Sequence, residues 1–145
     1  MNTKEYPKCF FRGISNKDFI QEGQVVASAF QFDDSNERND EYKELSINWE
    51  DDDASLEVLL MQKKENGKIQ FAAGAAKVEL QRVKMILSQY IEQNTFSYER
   101  KELDNNPYHG NLLLSKSVNK QIRSLVSSGL ALAVSSSLIP QKYTE

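Results

Sequence analysis

Apolar and polar positions alternate most cleanly at Leu45, Ile47 and Trp49, which bracket Ser46 and Asn48, and this period of two predicts a strand with one buried face. The aromatic run Cys9-Phe10-Phe11 predicts a first strand that stops at Arg12-Gly13. Val25 to Phe32 predicts another, with Val26, Ser28, Phe30 and Phe32 on alternating positions. Between these two, Ser15 is placed to cap a short helical turn through Phe19 and Ile20 that Gly23 closes. Ile69 to Val78 carries no charge until Lys77 and reads as a central strand, Phe96 to Glu102 as a further strand, and Leu112-Leu113-Leu114 as a short one.

Helical spacing marks three other stretches. Leu56, Leu59, Leu60 and Met61 follow Asp51-Asp52-Asp53, whose carboxylates suit the positive end of a helix dipole, and Asn66-Gly67 supplies a left-handed stop. A helix from about residue 52 to 65 is expected there. Leu80, Val83, Leu87 and Tyr90 or Ile91 recur every three or four residues, which predicts a helix of about twelve to fourteen residues. Val118, Ile122, Leu125, Val126, Gly129, Leu132 and Ala133 form a longer stripe, and predict a C-terminal helix over about 117–138 that Pro140 ends.

This irregular succession of strands and helices predicts an α+β fold. The expected architecture is a mixed sheet of about five strands with three main helices and a long C-terminal helix, rather than a doubly wound parallel sheet. No repeat and no Pro- or Ser-rich linker divides the 145 residues. A chain of that size buries roughly two thirds of its unfolded surface in one core, so a single domain over 1–145 is expected. The stretch 33–44 is rich in Asp and Glu and reads as a solvated acidic loop.

Charge and cysteine content narrow the classes. With 18 Lys and Arg against 21 Asp and Glu, the formal net charge is -3, which argues against a domain whose main task is neutralising phosphates. The lone Cys9 excludes an internal disulfide or a cysteine zinc cluster and fits a reducing compartment, so a cytoplasmic protein is expected. The first residues hold no apolar core of signal-peptide length, and none is expected to direct secretion. The least charged window, Ser124 to Ile139, is interrupted by Ser and Gly and falls short of the roughly 20 apolar residues of a membrane span.

Candidate chemistry gathers at Arg12 and His109. His109, the only histidine, follows Asn105-Asn106-Pro107-Tyr108 and precedes Gly110, a residue that lets a ligand or another backbone come close. It suits a general acid or base, or else satisfies a nearby carbonyl. Arg12 stands at a strand end, where a guanidinium reaches a phosphate or carboxylate, or else makes a structural ion pair. Ser28 joins these two if the fold brings them together. Cys9, beside Phe10 and Phe11, is expected to be a buried and inert thiol.

The acidic clusters lack the spaced ligands and bend glycine of a calcium loop, and phosphate-loop and dinucleotide signatures are missing, so no metal and no cofactor are expected. Lys116, Lys120 and Arg123 fall at helical spacing along the last predicted helix, as a solvated face or a weak nucleic-acid contact. The Ser127-Ser128-Gly129 and Ser135-Ser136-Ser137 groups permit close packing, within the chain or against a partner.

Four short pieces carry a resemblance: Phe10-Phe11-Arg12, Ala27-Ser28-Ala29-Phe30, Leu45-Ser46-Ile47 and Asn106-Pro107-Tyr108-His109. In this order they resemble a family of small bacterial proteins without an established activity. The resemblance implies a common core and supplies no function. Arg12-Gly13-Ile14-Ser15, followed by a Gly-ended turn and a Ser-bearing strand, is more loosely similar to ADP-ribosyltransferase-like folds, whose glutamate has no clear counterpart here. The reading that follows is a small cytoplasmic bacterial accessory or regulatory protein that binds a protein partner or its own copy, with nucleic acid less favoured and no membrane. The alternative is a small enzyme acting on a nucleotide or nucleic acid, with Arg12 holding the anion and His109 transferring the proton.

Overall fold

The sheet grows outward from the strand with the clearest alternation. A computed structural model describes residues 6–34, 41–134 and 138–143. Its strands are β1 (Cys9–Ile14), β2 (Ile20–Gln21), β3 (Gln24–Val25), β4 (Asp33–Asp34), β5 (Tyr42–Trp49), β6 (Gly74–Glu79), β7 (Phe96–Arg100) and β8 (His109–Ser115). Its α-helices are α1 (Ala54–Leu60), α2 (Leu80–Leu87) and α3 (Lys120–Leu132). The main sheet runs β6-β1-β5-β8-β7, with β4 also on β5, while β2 and β3 form a separate hairpin. The α+β class holds, and where a mixed sheet was expected all the described pairings are antiparallel.

Several element boundaries differ from the expected ones for local reasons. Val25 to Phe32 is not one strand: β3 ends at Val25, and a 3-10 turn follows over Ala27–Phe30. Gly23 closes no helix; with Glu22 it forms the two-residue turn of the β2-β3 hairpin, both at positive φ (52° and 79°), the backbone that tight hairpins favour. The capping residue of the short 3-10 helix Lys17–Phe19 is Asn16 rather than Ser15, its side chain accepting from the Asp18 N–H. Ile69 to Val78 contributes only β6, at the end of the strand order, and isolated bridges to Val134 and Ile139 lie along it.

The three helices are shorter than their apolar stripes. α1 stops at Leu60 because the chain turns back, bridging Lys63 to Ile69 around Asn66-Gly67. α2 stops at Leu87. α3 begins three residues later than about 117, since the Asn119 side chain accepts from the Ile122 N–H and fixes the start, and Val134 leaves it to bridge Val78. Ser135-Ser136-Ser137 and residues 35–40 of the acidic stretch lie outside the described residues.

The two faces of the sheet are covered unequally. On one, Phe10, Leu45, Ile47, Trp49, Leu112 and Leu114 meet α2, α3 and the Ala27–Phe30 turn in the main core. On the other, among the described residues, α1, Phe71, Ile139 and Tyr143 cover only the half that carries Phe11 and Ala75. The register sets Asn48 opposite both Phe11 and His109, and Ser46 opposite Asn111, so these five side chains share the second face with Glu44. Beyond the cover of α1, that face presents polar residues to a cleft.

Candidate functional site

The cleft has a volume of about 340 Å³ and is floored by Glu44 and Ser46 from β5 and by His109 and Asn111 from β8. Leu59 and Phe71 form one wall, Lys101 and Leu103 another. The His109 Nδ1 donates to the Lys101 carbonyl at 2.9 Å, since a carbonyl can only accept, and in the neutral ring Nε2 is then the acceptor. Asn111 is 1% exposed and its Nδ2 faces the Glu99 carboxylate at 3.5 Å. Because a carboxylate only accepts, this contact orients the amide, and its Oδ1 is buried with no partner among the described residues.

A closed amide pair holds the end of the cleft. Asn106 Nδ2 donates to Asn48 Oδ1 at 2.7 Å, Asn48 Nδ2 returns a bond to Asn106 Oδ1 at 3.2 Å, and both side chains are buried. Asn106 Oδ1 also accepts from the Tyr108 N–H, so the Asn-Pro-Tyr turn is clamped to β5 just before His109 enters β8. Ser55 at the start of α1 completes the cluster, its hydroxyl donating to the Trp49 carbonyl at 2.6 Å.

Arg12 lies on the other face. It shares the register of Phe10 and Ile14, Nε donates to the Ala29 carbonyl and Nη1 to the Ser46 carbonyl, each at 2.9 Å. These bonds fill the gap where β1 leaves β5 after Phe11 and β4 has not yet taken its place. Desolvation lowers its pKa to about 10, with Asp33 pulling the other way, and the guanidinium is still charged at neutral pH. Arg12 and His109 therefore do not meet in one pocket, because consecutive positions of the register send them to opposite sides of the sheet. What Arg12 does for the cleft is indirect: it holds the backbone of Ser46 from behind.

The other sequence candidates are dispersed. Ser28 is exposed on the Ala27–Phe30 turn and lines a separate hollow of about 350 Å³ with Lys120 and Arg123, away from His109. Lys116 precedes α3 instead of lying on it, and its Nζ is 3.6 Å from Asp34; the three cations do not form one helix face, since Asn119 starts the helix after Lys116. Arg123 donates to the Val118 carbonyl at 3.0 Å. The Cys9 thiol is half-buried, and desolvation raises its pKa. Among the described residues no group of three His, Cys, Asp or Glu is placed to hold a metal.

A second feature escaped the sequence. Among the described residues β7 pairs only with β8, and Lys101 N–H bonds the His109 carbonyl, which directs residues 97, 99 and 101 inward and leaves the backbone of Phe96, Tyr98 and Arg100 facing out. Beside this edge, Leu87, Ile91, Phe96 and Tyr98 line a hollow of about 540 Å³. It adjoins another of about 540 Å³ through the shared Lys84 and Tyr98, the ammonium standing 5.0 Å from the ring centroid. The signal for this groove was split between a helix stripe and a strand that the sequence gives no reason to place together. Asn111 was legible in principle, two residues from His109 and so on its face.

No model of a known protein family matches the chain, and no curated protein or solved structure is significantly similar to it. Among the described residues no helix is long and apolar enough to cross a membrane.

Proposed function

We propose that this chain is a small cytoplasmic bacterial accessory or regulatory protein that acts by binding a protein partner, and that the partner adds an extended strand to β7. The observation that carries this reading is the outer edge of β7, unpaired among the described residues and lying directly beside an apolar groove. Free edge N–H and C=O groups template a further strand, and alternate side chains of that strand fall into whatever hollow flanks the edge. Here the flanking wall is α2 and the segment after it, with Leu87 and Ile91 for an apolar side chain and Lys84 at the rim.

The polar cleft lends no support to the enzyme reading, which required Arg12 and His109 at one centre. Affinity capture from host lysate tests the binding reading. Wild-type protein is expected to retain a stoichiometric protein, and Ile91→Glu, which places a charge in the groove, to lose at least about tenfold in retention. A thermal melt of the variant checks that it stays folded. Equal retention by wild type and a folded Ile91→Glu protein would remove the groove from the account. A defined dimer by light scattering, lost in the same variant, would make the added strand that of a second copy.

A further inference from the structure

We infer that the cleft floored by Asn111, His109, Ser46 and Glu44 is a binding site for a small molecule carrying an amino or guanidino group. This site lies on the face of the sheet opposite the β7 groove and does not depend on the partner reading. Three of its groups offer acceptor atoms. Asn111 Oδ1 is buried without a partner among the described residues, and the amide nitrogen is the end turned towards the Glu99 carboxylate, at 3.5 Å. With Nδ1 donating to the Lys101 carbonyl, His109 Nε2 is the acceptor atom of the neutral imidazole. Glu44 contributes a carboxylate from the same face of β5, and the Ser46 hydroxyl, opposite Asn111, either accepts or donates.

A floor of acceptors selects a ligand rich in N–H donors. His109 and Asn111 are two residues apart on one strand face, so their side chains start about 7 Å from each other. A guanidino head, with N–H groups on three nitrogens, or an amino group with a second N–H donor nearby, is wide enough to address both positions. Glu44 on the floor favours a positive head over a neutral one, with Glu99 adding its charge from behind Asn111, against Lys101 as the single Lys or Arg lining the cleft among the described residues. Phe71 and Leu59 on the wall take the apolar stem or the flat face of the ligand. A cavity of about 340 Å³ fits a small metabolite and not a folded domain.

A buried acceptor left without a donor costs stability, which is the usual mark of a group kept for a ligand. Asn111→Leu is therefore expected to melt at or above the wild-type temperature. That outcome separates loss of a ligand from loss of the fold.

Titration of isotopically labelled protein with agmatine, at physiological ionic strength and with glucose as the neutral comparison, tests the site by nuclear magnetic resonance. Saturable shifts are expected at the Asn111 side-chain amide and the His109 ring. Affinity for agmatine should fall by about tenfold or more in both Asn111→Leu and Glu44→Gln, the loss of a hydrogen bond to a charged group, and glucose should bind at least about tenfold more weakly. Glu44 is half-exposed, so the second variant reports on binding even if the first perturbs the strand. No saturation with agmatine at concentrations on the order of 10 mM, a Kd beyond any specific contact, would overturn the inference. So would equal binding of glucose, or agmatine shifts that persist unchanged in both variants.

Discussion

Gly110→Ala is expected to destabilise the protein by about 3 kcal/mol, read as a shift in the urea midpoint at unchanged slope. A Cβ at this position would overlap the Glu99 carbonyl oxygen and the Trp49 Nε1, and would come within 2.8 Å of Trp49 Cδ1. The carbonyl is backbone and cannot swing aside. The indole cannot move either, because Trp49 is fully buried and its Nε1 donates to that same Glu99 carbonyl at 3.1 Å across the glycine. Relief requires β7 to separate from β8, which breaks the ladder that holds the candidate edge in place. A Gly110→Ala protein as stable as wild type would mean that Trp49 does not cross the strand here.

Asn106→Ala is expected to cost about 2–4 kcal/mol, with Asn105→Ala, exposed in the same turn, close to neutral. The cost comes from what the alanine leaves behind. Asn48 Oδ1 and the Tyr108 N–H lose their partners while the fold still excludes water from Asn48, and each such orphan costs about 1–3 kcal/mol. Asn48 Nδ2 keeps the Ser55 carbonyl, which limits the loss. Urea unfolding of both variants checks the figure. The turn also delivers His109 to β8, so the Asn106→Ala protein should show altered His109 ring signals even below its unfolding midpoint.

What could be read from the chain, and what could not, follows from the range of the forces involved. Alternation at Leu45, Ile47 and Trp49 survives in β5 because one face of that strand is buried along its length. Val26, Ser28, Phe30 and Phe32 alternate as well, yet Ala27–Phe30 coils into a 3-10 turn because Arg12 and Ser127 reach the carbonyls of Ala29 and Phe30 from distant parts of the chain. No local pattern carries that information. Gly110 was legible as a point of close approach, though what approaches is an indole and a backbone rather than a ligand.

The candidate site was half visible for the same reason. His109 was prominent as the lone histidine, and its neighbours Ser46 and Asn48 were visible as the polar face of β5. Pairing Arg12 with His109 needed the register of three strands, β1, β5 and β8, and a shift by one residue reverses the face. The β7 edge was hidden because strand order is a property of the whole sheet, and only that order shows which strand has no second neighbour among the described residues.

The most direct test of strand addition at β7 is amide hydrogen exchange of that strand, measured on the free protein and on the protein in its captured complex. Inward-facing Ser97 and Glu99 are expected to be protected in both states through their bonds to β8. Phe96, Tyr98 and Arg100 are expected to exchange quickly when free and to become protected when the partner is bound. Protection of these three amides already in the free monomer, or no change on complex formation, would contradict the account.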